Sequence, residues 1–242
     1  TLTRTVVAVS SVEFQHALQL GIPRSRLKIV HNGLNPPSSS CSRPAPGAAI
    51  TVGFVGRLSR QKNLPLLLRA FAAVSRQSCQ PCRLVVVGDG PERDHLRGLS
   101  AELGLESRVE WWGECDGPSA MSSFDVFALS SDYEGFPYVL LEAMYRGLPV
   151  VTTEVGGASE LVGSTSSGLV VPVGDAGAFA SALSSLIGSA ILRVKFGTAA
   201  RASASAFSIR TEERRVLKVC CYRWWPEHKK MVGGGGGGGG GG

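Results

Sequence analysis

Residues 83–91 read RLVVVGDGP, an apolar run that ends at a glycine-rich turn. A continuous apolar run of this kind is typical of a strand covered on both faces, as in a parallel sheet. The two glycines suit a tight turn, and Pro91 favours the start of a helix. This stretch therefore predicts a buried parallel strand, a tight turn and a helix in succession.

The same alternation of strand and helix continues on both sides of residues 83–91, which is the pattern of a parallel sheet with crossover helices. We therefore predict an α/β fold, a Rossmann-like doubly wound parallel sheet with five or six strands in its main domain. The further predicted strands are 5–9, 27–30, 50–55, 109–112, 126–129, 150–153 and 169–171, and the predicted helices are 12–20, 64–74, 91–103, 137–145 and 176–187.

Composition divides the chain into five parts. Residues 36–48 are rich in Pro, Ser and Gly and have little to bury, so we interpret them as a linker between residues 1–35 and a main domain at 49–200. Residues 201–232 are basic and have no usable periodicity. The ten glycines at 233–242 can bury nothing, and we exclude them as a flexible tail, an artefact or an expression scar.

Length and composition favour an ordinary soluble globular protein. The chain has 242 residues, of which 43% are hydrophobic and 18% charged, and no apolar run approaches the roughly 18 residues of a membrane-spanning helix. The first part of the chain lacks the pattern of a secretory signal. We therefore expect a cytoplasmic protein without a transmembrane segment. The chain begins at Thr1 rather than Met, which leaves room for an upstream targeting segment.

The net charge of +6 lies almost entirely in the basic tail. Residues 1–200 contain 17 Lys and Arg against 16 Asp and Glu, whereas residues 201–242 contain 8 against 3. The main domain thus lacks the basic stripe that duplex binding uses, so we expect no nucleic-acid partner.

The six cysteines occur without the secretory context that favours a disulfide framework, and we interpret them as reduced. Cys79-Gln-Pro-Cys82 has the spacing of half a zinc site or of a redox pair. No second CxxC follows, and the only nearby histidine is His95, so we expect no metal site.

The loop Gly56-Arg-Leu-Ser-Arg-Gln-Lys62 follows the predicted strand 50–55. In a doubly wound sheet, ligands bind outside the carboxyl ends of the strands. Arg57 offers a planar fork and Lys62 a point charge, and together they could neutralise a diphosphate. A solvated basic loop is the alternative interpretation.

The glycines at 88 and 90 raise the alternative of a dinucleotide-binding fingerprint, G-x-G-x-x-G. Glu110 lies about twenty residues further on, where that motif has an acid that binds ribose. Arg93 replaces the third glycine, however, so an NAD enzyme is a weak alternative. A tight turn into a helix explains both glycines equally well.

Residues 134–144, EGFPYVLLEAM, combine two acids with strongly apolar sequence. Pro137 suits the first helical position, so we expect Glu134 and Gly135 to lie before a helix and Glu142 to lie within it. Gly135 allows the backbone to approach a ligand closely.

The amides of Phe136, Tyr138 and Val139 would then point beyond the helix N-terminus, which is an anion site by position and dipole. Glu142 would be costly on an apolar helix unless it accepts hydrogen bonds, and a ribose diol offers two donors. The alternative is one acid that stabilises the helix dipole and a second that pairs with an arginine in the core. We prefer the ligand site, because the alternative explains each acid separately.

Several motifs occur in the order found in a known family. EGFPYVLLEAMYRGLPVV resembles the E-x7-E motif and following strand of retaining glycosyltransferases of the family 4 type, the group 1 glycosyltransferases, which have the two-domain GT-B architecture. VGRLSRQKN is similar to their phosphate-contacting loop, VVVGDGPERDHL to the next strand and turn, and RVEWWG to a strand on the base side. FDVFALSSDYEG, TTEVGGASELV, GLVVPVGD and LKIVHNGLN continue the resemblance, which covers about residues 5–190.

The resemblance implies that residues 49–200 form the C-terminal domain, which binds the nucleotide-sugar donor. Residues 1–35 would then be the end of the N-terminal acceptor domain and the interdomain segment. In this interpretation Arg57 and Lys62, on the loop that begins at Gly56, hold the donor's diphosphate.

The resemblance also implies that Glu134 is the catalytic residue, which contacts the sugar and stabilises positive charge near the reacting carbon. Glu142 would bind the ribose hydroxyls, and the backbone from Gly135 through Phe136, Tyr138 and Val139 would assist with the phosphates. We expect no metal and no cofactor, because two cations already neutralise the diphosphate.

The resemblance thus predicts an enzyme: a retaining, metal-independent transferase that moves a hexose from a nucleotide-diphosphate sugar to an unknown acceptor, which could be a sugar, a lipid-linked sugar or a small molecule. We expect most of the acceptor domain to be missing, so the alternatives are a non-catalytic nucleotide-sugar-binding fragment and a sugar-nucleotide epimerase of the same architecture. Asn63 stands where the family often has glycine, and the sequence after about Phe207 is irregular where a closing helix is usual.

Overall fold

The computed structural model describes residues 5–34, 49–163 and 166–207. The predicted linker at 36–48, most of the basic tail and the glycine tail lie outside the described residues, as do three of the six cysteines.

The described residues form eight strands and seven α-helices. The strands are β1 (Val6–Ala8), β2 (Leu27–Ile29), β3 (Ile50–Val55), β4 (Cys82–Val87), β5 (Val109–Gly113), β6 (Val126–Leu129), β7 (Val150–Thr153) and β8 (Gly168–Val171). The helices are α1 (Ser11–Gln19), α2 (Leu64–Gln77), α3 (Arg93–Glu102), α4 (Gly117–Ala120), α5 (Tyr138–Tyr145), α6 (Ala176–Gly188) and α7 (Ala190–Ala204).

Six of these strands form one parallel sheet, in the order β5-β4-β3-β6-β7-β8. The predicted α/β fold with a doubly wound parallel sheet is therefore confirmed. Strands β1 and β2 pair in parallel as a separate small sheet, with α1 as their crossover.

The core lies on both faces of the six-stranded sheet. Side chains on both faces of β4 are therefore buried, which explains its continuous apolar run. Val85 and Val86 point to opposite faces of β4, and both are fully buried. On one face α2 packs against α6, with Phe71 and Phe179 fully buried, and elsewhere α5 packs against α7.

Helix α7 was not predicted from the sequence. Its buried residues are Gly197, Ala200 and Ala204, whereas Ile191 and Val194 are exposed. Small residues on the packing face leave no periodic pattern of large apolar side chains to mark the helix. The helix runs through residue 200, where the sequence places the end of the main domain.

The glycines at 56, 88 and 90 lie where two loops touch backbone to backbone. A Cβ atom at Gly88 would lie 2.0 Å from the carbonyl oxygen of Gly56, and one at Gly90 would lie 2.4 Å from that of Leu58. Gly88 also has a φ of +125°, which side chains rarely adopt. Close loop packing therefore accounts for Gly88 and Gly90.

The two other residues of the supposed dinucleotide fingerprint are engaged elsewhere. Arg93 forms an ion pair with Asp89 at 2.8 Å, and Glu110 forms one with Arg83 at 2.8 Å. Glu110 on β5 therefore has a partner on the neighbouring strand β4.

Candidate functional site

The candidate site lies where the strand order of the sheet changes direction. The chain runs from β3 outward to β4 and β5, and then returns to β6 on the other side of β3. The connections that leave β3 and β6 therefore lead toward opposite edges of the sheet, and their starting point is the position at which doubly wound sheets bind ligands. The predicted residues at 56–62 and 134–142 all lie on these two connections or on α5.

Lys62 and Glu134 form an ion pair across the two loops. The distance from Nζ to Oε1 is 2.6 Å, and the side chains are only 17% and 10% exposed. The Ser131 hydroxyl donates a second hydrogen bond to the same carboxylate oxygen, at 2.7 Å. The structure thus brings together a predicted phosphate-binding cation and the predicted catalytic acid, which no pattern in the sequence connects.

Further hydrogen bonds fasten the two loops to each other. A polar triplet, Ser130-Ser131-Asp132, directly follows the buried strand β6 and was not singled out from the sequence, although its position at a strand end is a recognisable signal. The bonds run from Ser130 Oγ to Lys62 O (2.8 Å), from Asp132 N to Gln61 O (2.9 Å), from Gln61 Nε2 to Tyr133 O (2.9 Å) and from Asn63 Nδ2 to Asp132 Oδ1 (2.6 Å).

Asn63 ends the loop before α2 in a left-handed conformation, with φ +42° and ψ +50°. Its side chain also caps the helix by accepting a hydrogen bond from Leu66 N at 3.3 Å. Asparagine tolerates this backbone better than most residues, which accounts for its use where glycine is often found in the resembling family.

We expect Asn63→Ala to lower the free energy of unfolding by about 2 kcal/mol, because it loses the cap and strains the left-handed backbone. Asn63→Gly, the matched control, relieves the strain and should cost about 0.5 kcal/mol. Urea unfolding measures both. Equal costs for the two substitutions would show that the left-handed backbone is not held in solution.

Arg57 is exposed at the beginning of the loop, directly after Gly56 at the end of β3. Within the described part of the chain its guanidinium forms no hydrogen bond or ion pair. Lys62, five residues later, is held by Glu134. Of the two predicted phosphate-binding cations, one is therefore unengaged and the other already has a carboxylate partner.

Helix α5 begins one residue later than predicted. Pro137 is the N-cap rather than the first helical residue, since its carbonyl accepts bonds from Leu140 at 3.0 Å and Leu141 at 3.4 Å. The amides of Tyr138 and Val139, like that of Phe136, donate no hydrogen bond to any described residue. Three unengaged amides at a helix N-terminus retain the predicted capacity to bind an anion.

The side chains at the beginning of α5 differ in burial. The Phe136 ring is buried at 7% exposure, whereas Tyr138 is 44% exposed and Val139 is half-buried. A ligand above the helix can therefore contact the backbone of Phe136 but not its ring.

Glu142 is half-buried in the second turn of α5 and forms no hydrogen bond or ion pair with the described residues. Burial raises the pKa of this carboxyl group, and the nearby charge of Asp116 raises it further, while Arg146 lowers it. Arg146 does not bond to Glu142, and its guanidinium donates instead to Ser122 Oγ at 2.8 Å. The alternative of a core acid paired with an arginine therefore does not hold for the described residues.

Gly135 has a neighbour that the sequence does not reveal. A Cβ atom at Gly135 would lie 2.9 Å from Oε1 of Glu13, in the first turn of α1. The other carboxylate oxygen of Glu13 accepts a hydrogen bond from Val9 N at 3.0 Å. Glycine at 135 thus makes room for the carboxylate of Glu13, which lies on the crossover helix between β1 and β2.

The described cysteines, Cys79, Cys82 and Cys115, are all free. Cys79 is exposed, whereas Cys82 is buried at the start of β4, where burial raises its thiol pKa. Over residues 5–34, 49–163 and 166–207, no three His, Cys, Asp or Glu side chains come together as metal ligands would.

No single helix in the described ranges has the length and apolar composition needed to cross a membrane. The helices Ala176–Gly188 and Ala190–Phe207 have that length and composition only when they are taken together, and the chain bends by 102° between them.

Comparison with known families gives one match that covers most of the chain. Residues 42–203 match the family described as glycosyl transferases group 1.

Two curated relatives are similar to this chain over about the same region. The D-inositol 3-phosphate glycosyltransferase of Corynebacterium urealyticum is 33% identical, over 72% of this chain and 43% of its own length. An N-acetylgalactosaminyltransferase of Campylobacter jejuni is 34% identical, over 68% of this chain and 44% of its own length. That protein is named for its action on a sugar linked to diphospho-undecaprenol. The chain thus spans less than half the length of these relatives.

Solved structures share the fold. The Anabaena protein HepE, crystallised with UDP, has a TM-score of 0.81 and 27% identity, over 90% of this chain and 63% of its own. A glycosyltransferase from Rickettsia africae has a TM-score of 0.80, over 96% of this chain and 65% of its own. At 20% identity, the second comparison supports the fold alone.

Proposed function

The chain belongs to the group 1 glycosyl transferases, and from this premise we propose that it is the donor-binding half of a retaining, metal-independent hexosyltransferase that uses a nucleotide-diphosphate sugar. The observation that carries the proposal is Glu142. A half-buried carboxylate without a partner in the described structure is costly unless a ligand supplies hydrogen-bond donors, and a ribose diol supplies two.

The proposed diphosphate position is the N-terminus of α5. The unengaged amides of Phe136, Tyr138 and Val139 and the helix dipole attract negative charge there. Arg57, on the loop after β3, is free to contact a diphosphate at this position. Lys62 lies near the beginning of α5, because it pairs with Glu134, which lies on the loop before that helix. Arg57, Lys62 and the helix N-terminus all offer positive charge or N–H donors to a diphosphate, which is the basis for proposing a reaction without metal.

Glu134 is proposed to act on the transferred sugar. When a donor binds, Lys62 gains phosphate oxygens as partners and Glu134 keeps the hydrogen bond from Ser131. The carboxylate is then placed to orient sugar hydroxyls and to stabilise positive charge at the reacting carbon while the diphosphate departs from the same face. In this proposal Glu134 is not a nucleophile.

The relatives give a first choice of nucleotide. HepE, at 27% identity, was crystallised with UDP, so we propose a uridine-diphosphate sugar as the first donor to test. We propose no acceptor, because the chain spans less than half the length of the two curated relatives.

Calorimetry with UDP, GDP and ADP tests the donor site. We expect at least one of them to bind with Kd of about 1 mM or tighter, and EDTA to leave that binding unchanged. Arg57→Ala should weaken binding about tenfold, because a charge-assisted contact to phosphate is lost. Arg60→Ala is the matched control, since Arg60 is 93% exposed on the same loop and should have no effect. Failure of all three nucleotides to bind would contradict the proposal.

A second candidate function is nucleotide-sugar binding without catalysis, which the residues of the proposed donor site support as well as they support transfer. Incubation of this chain with UDP-glucose separates the two. Release of glucose or its transfer to any acceptor would show that the chain is catalytic by itself.

A further inference from the structure

The Glu160 carboxylate joins two parts of the chain that are far apart in sequence. Its Oε1 accepts hydrogen bonds from Ser11 N at 2.6 Å and from Ser11 Oγ at 2.5 Å, and its Oε2 lies 2.5 Å from His31 Nε2. Ser11 and His31 belong to residues 5–34, which contain the small sheet β1-β2 and helix α1 and are called the N-terminal unit below. Glu160 lies in a π-helical turn, Ser159–Gly163, beyond the end of β7.

These bonds hold Glu160 in its ionised form. Burial by itself raises the pKa of this carboxyl group, but the hydrogen bonds from Ser11 and His31 and the charge of His31 outweigh burial and keep the pKa below its usual range. The side chains of His31 and Glu160 are 19% and 23% exposed, so solvent screens the contact only in part.

His31 connects Glu160 to the candidate donor site. Its ring lies 6.3 Å from the ring of Phe136, centroid to centroid, and packs edge-on against Phe207 at 5.5 Å. Its Nδ1 has no hydrogen-bond partner among the described residues, so Glu160 provides the one polar contact of the ring there. The orientation of the ring against Phe136 therefore depends on Glu160.

The segment that carries Glu160 also touches the loop 134–137 directly. A Cβ atom at Gly156 would lie 2.3 Å from the carbonyl oxygen of Glu134, and one at Gly157 would lie 2.9 Å from the Phe136 ring. Glu13, in the N-terminal unit, closes on the same loop at Gly135. The loop is thus enclosed by two segments that Glu160 holds together.

We infer that Glu160 is a positioning residue that ties residues 5–34 to the loop 134–137, so that the conformation of the donor site depends on the N-terminal unit. The contact between Glu160 and the N-terminal unit is given by the hydrogen bonds above, and its effect on catalysis rests on the proposed function. A shift of the N-terminal unit, which leads toward the acceptor side in the proposed enzyme, then changes the backbone that carries Glu134.

Hydrogen exchange of the full chain without nucleotide tests the link. In Glu160→Ala we expect exchange to rise about tenfold both in residues 11–14 and in residues 134–140, because each loses its fixed neighbour. Glu160→Gln keeps the shape without the charge and should give a rise of about threefold in the same regions. Glu154→Gln is the matched control, since Glu154 is an exposed acid on the same segment and glutamine can still accept the 3.5 Å hydrogen bond from Ser159, and it should change neither region.

The pattern of exchange separates positioning from a general loss of stability, which would raise exchange in α2 and β4 as well. If exchange rises at 11–14 but not at 134–140, the inference is wrong. If Glu160→Ala does not fold, Glu160→Gln decides by the same criterion. Because no ligand is present, the result stands whether or not UDP, GDP or ADP binds. Where UDP binds, its affinity should fall about tenfold in Glu160→Ala.

Discussion

Lys62→Met is expected to lower the free energy of unfolding by about 3 kcal/mol, a larger loss of stability than Asn63→Ala should cause. The Glu134 side chain is 10% exposed, so removal of the ammonium group leaves a desolvated carboxylate whose one remaining hydrogen-bond partner among the described residues is Ser131. Loss of one partner of such a pair costs more than the pair itself contributes.

The double variant Lys62→Met with Glu134→Gln should recover most of that loss, because it leaves no uncompensated charge. Urea unfolding of the two single variants and the double variant gives the coupling between the side chains. Lys195→Met is the matched control, since Lys195 is exposed on α7, and should change stability by less than about 0.5 kcal/mol. A Lys62→Met protein as stable as the wild type would mean that the ion pair does not persist in solution.

The same variants separate stability from ligand binding. The double variant regains stability but lacks both groups that the proposed donor uses. Its affinity for UDP should therefore remain as weak as that of Lys62→Met, and restored binding would exclude Lys62 from the phosphate site.

Glu142→Gln is expected to weaken UDP binding about 100-fold, because the ribose diol would lose two hydrogen bonds to a charged acceptor, about 3 kcal/mol in all. UDP calorimetry at pH 7 measures this. Glu154→Gln, on the exposed loop after β7, is the matched control and should bind UDP as the wild type does.

The same substitution should stabilise the protein when no nucleotide is present. Burial raises the pKa of Glu142 in the folded state, and Asp116 adds to the shift, so folding favours the protonated acid. The corresponding contribution to stability is fully present below the unfolded pKa of about 4.3 and is lost as the pH rises through the folded value. Glu142→Gln should thus raise the unfolding temperature at pH 7 and have less effect near pH 4. A lower unfolding temperature at pH 7 would mean that a partner stabilises the ionised carboxylate.

The strands of the main sheet could be predicted closely because their signals are local. Strands 50–55, 126–129 and 150–153 have the predicted bounds, since each is a β-rich apolar run bounded by turn-forming or polar residues. Helix α7 could not be found, because its packing face consists of Gly197 and two alanines. The start of α5 was misplaced by one residue, because proline is compatible with both the N-cap and the first helical turn.

The candidate site could be predicted as a set of residues but not as a set of contacts. The sequence indicates that Arg57, Lys62, Glu134 and Glu142 follow strands or lie on the same helix. It does not show that Lys62 and Glu134, which are 72 positions apart, form an ion pair. That contact depends on the adjacency of β3 and β6, which follows from strand order rather than from any local pattern.

The role of Glu160 was missed for the same reason. It is the one acid in the stretch VGGASELV, just as Glu142 is the one acid in YVLLEAM. Its partners lie 129 and 149 positions away in a small sheet unit whose placement the sequence did not reveal.

The Lys62–Glu134 pair also means that the cation has a counterion before any ligand arrives. A simple anion such as sulfate must displace a carboxylate that the fold keeps beside the lysine at a high effective concentration, and it offers that carboxylate nothing in exchange. A nucleotide sugar brings phosphates for the lysine and hydroxyls for the glutamate, so both partners are replaced together. Internal competition of this kind would make the site selective against bare anions without any steric barrier.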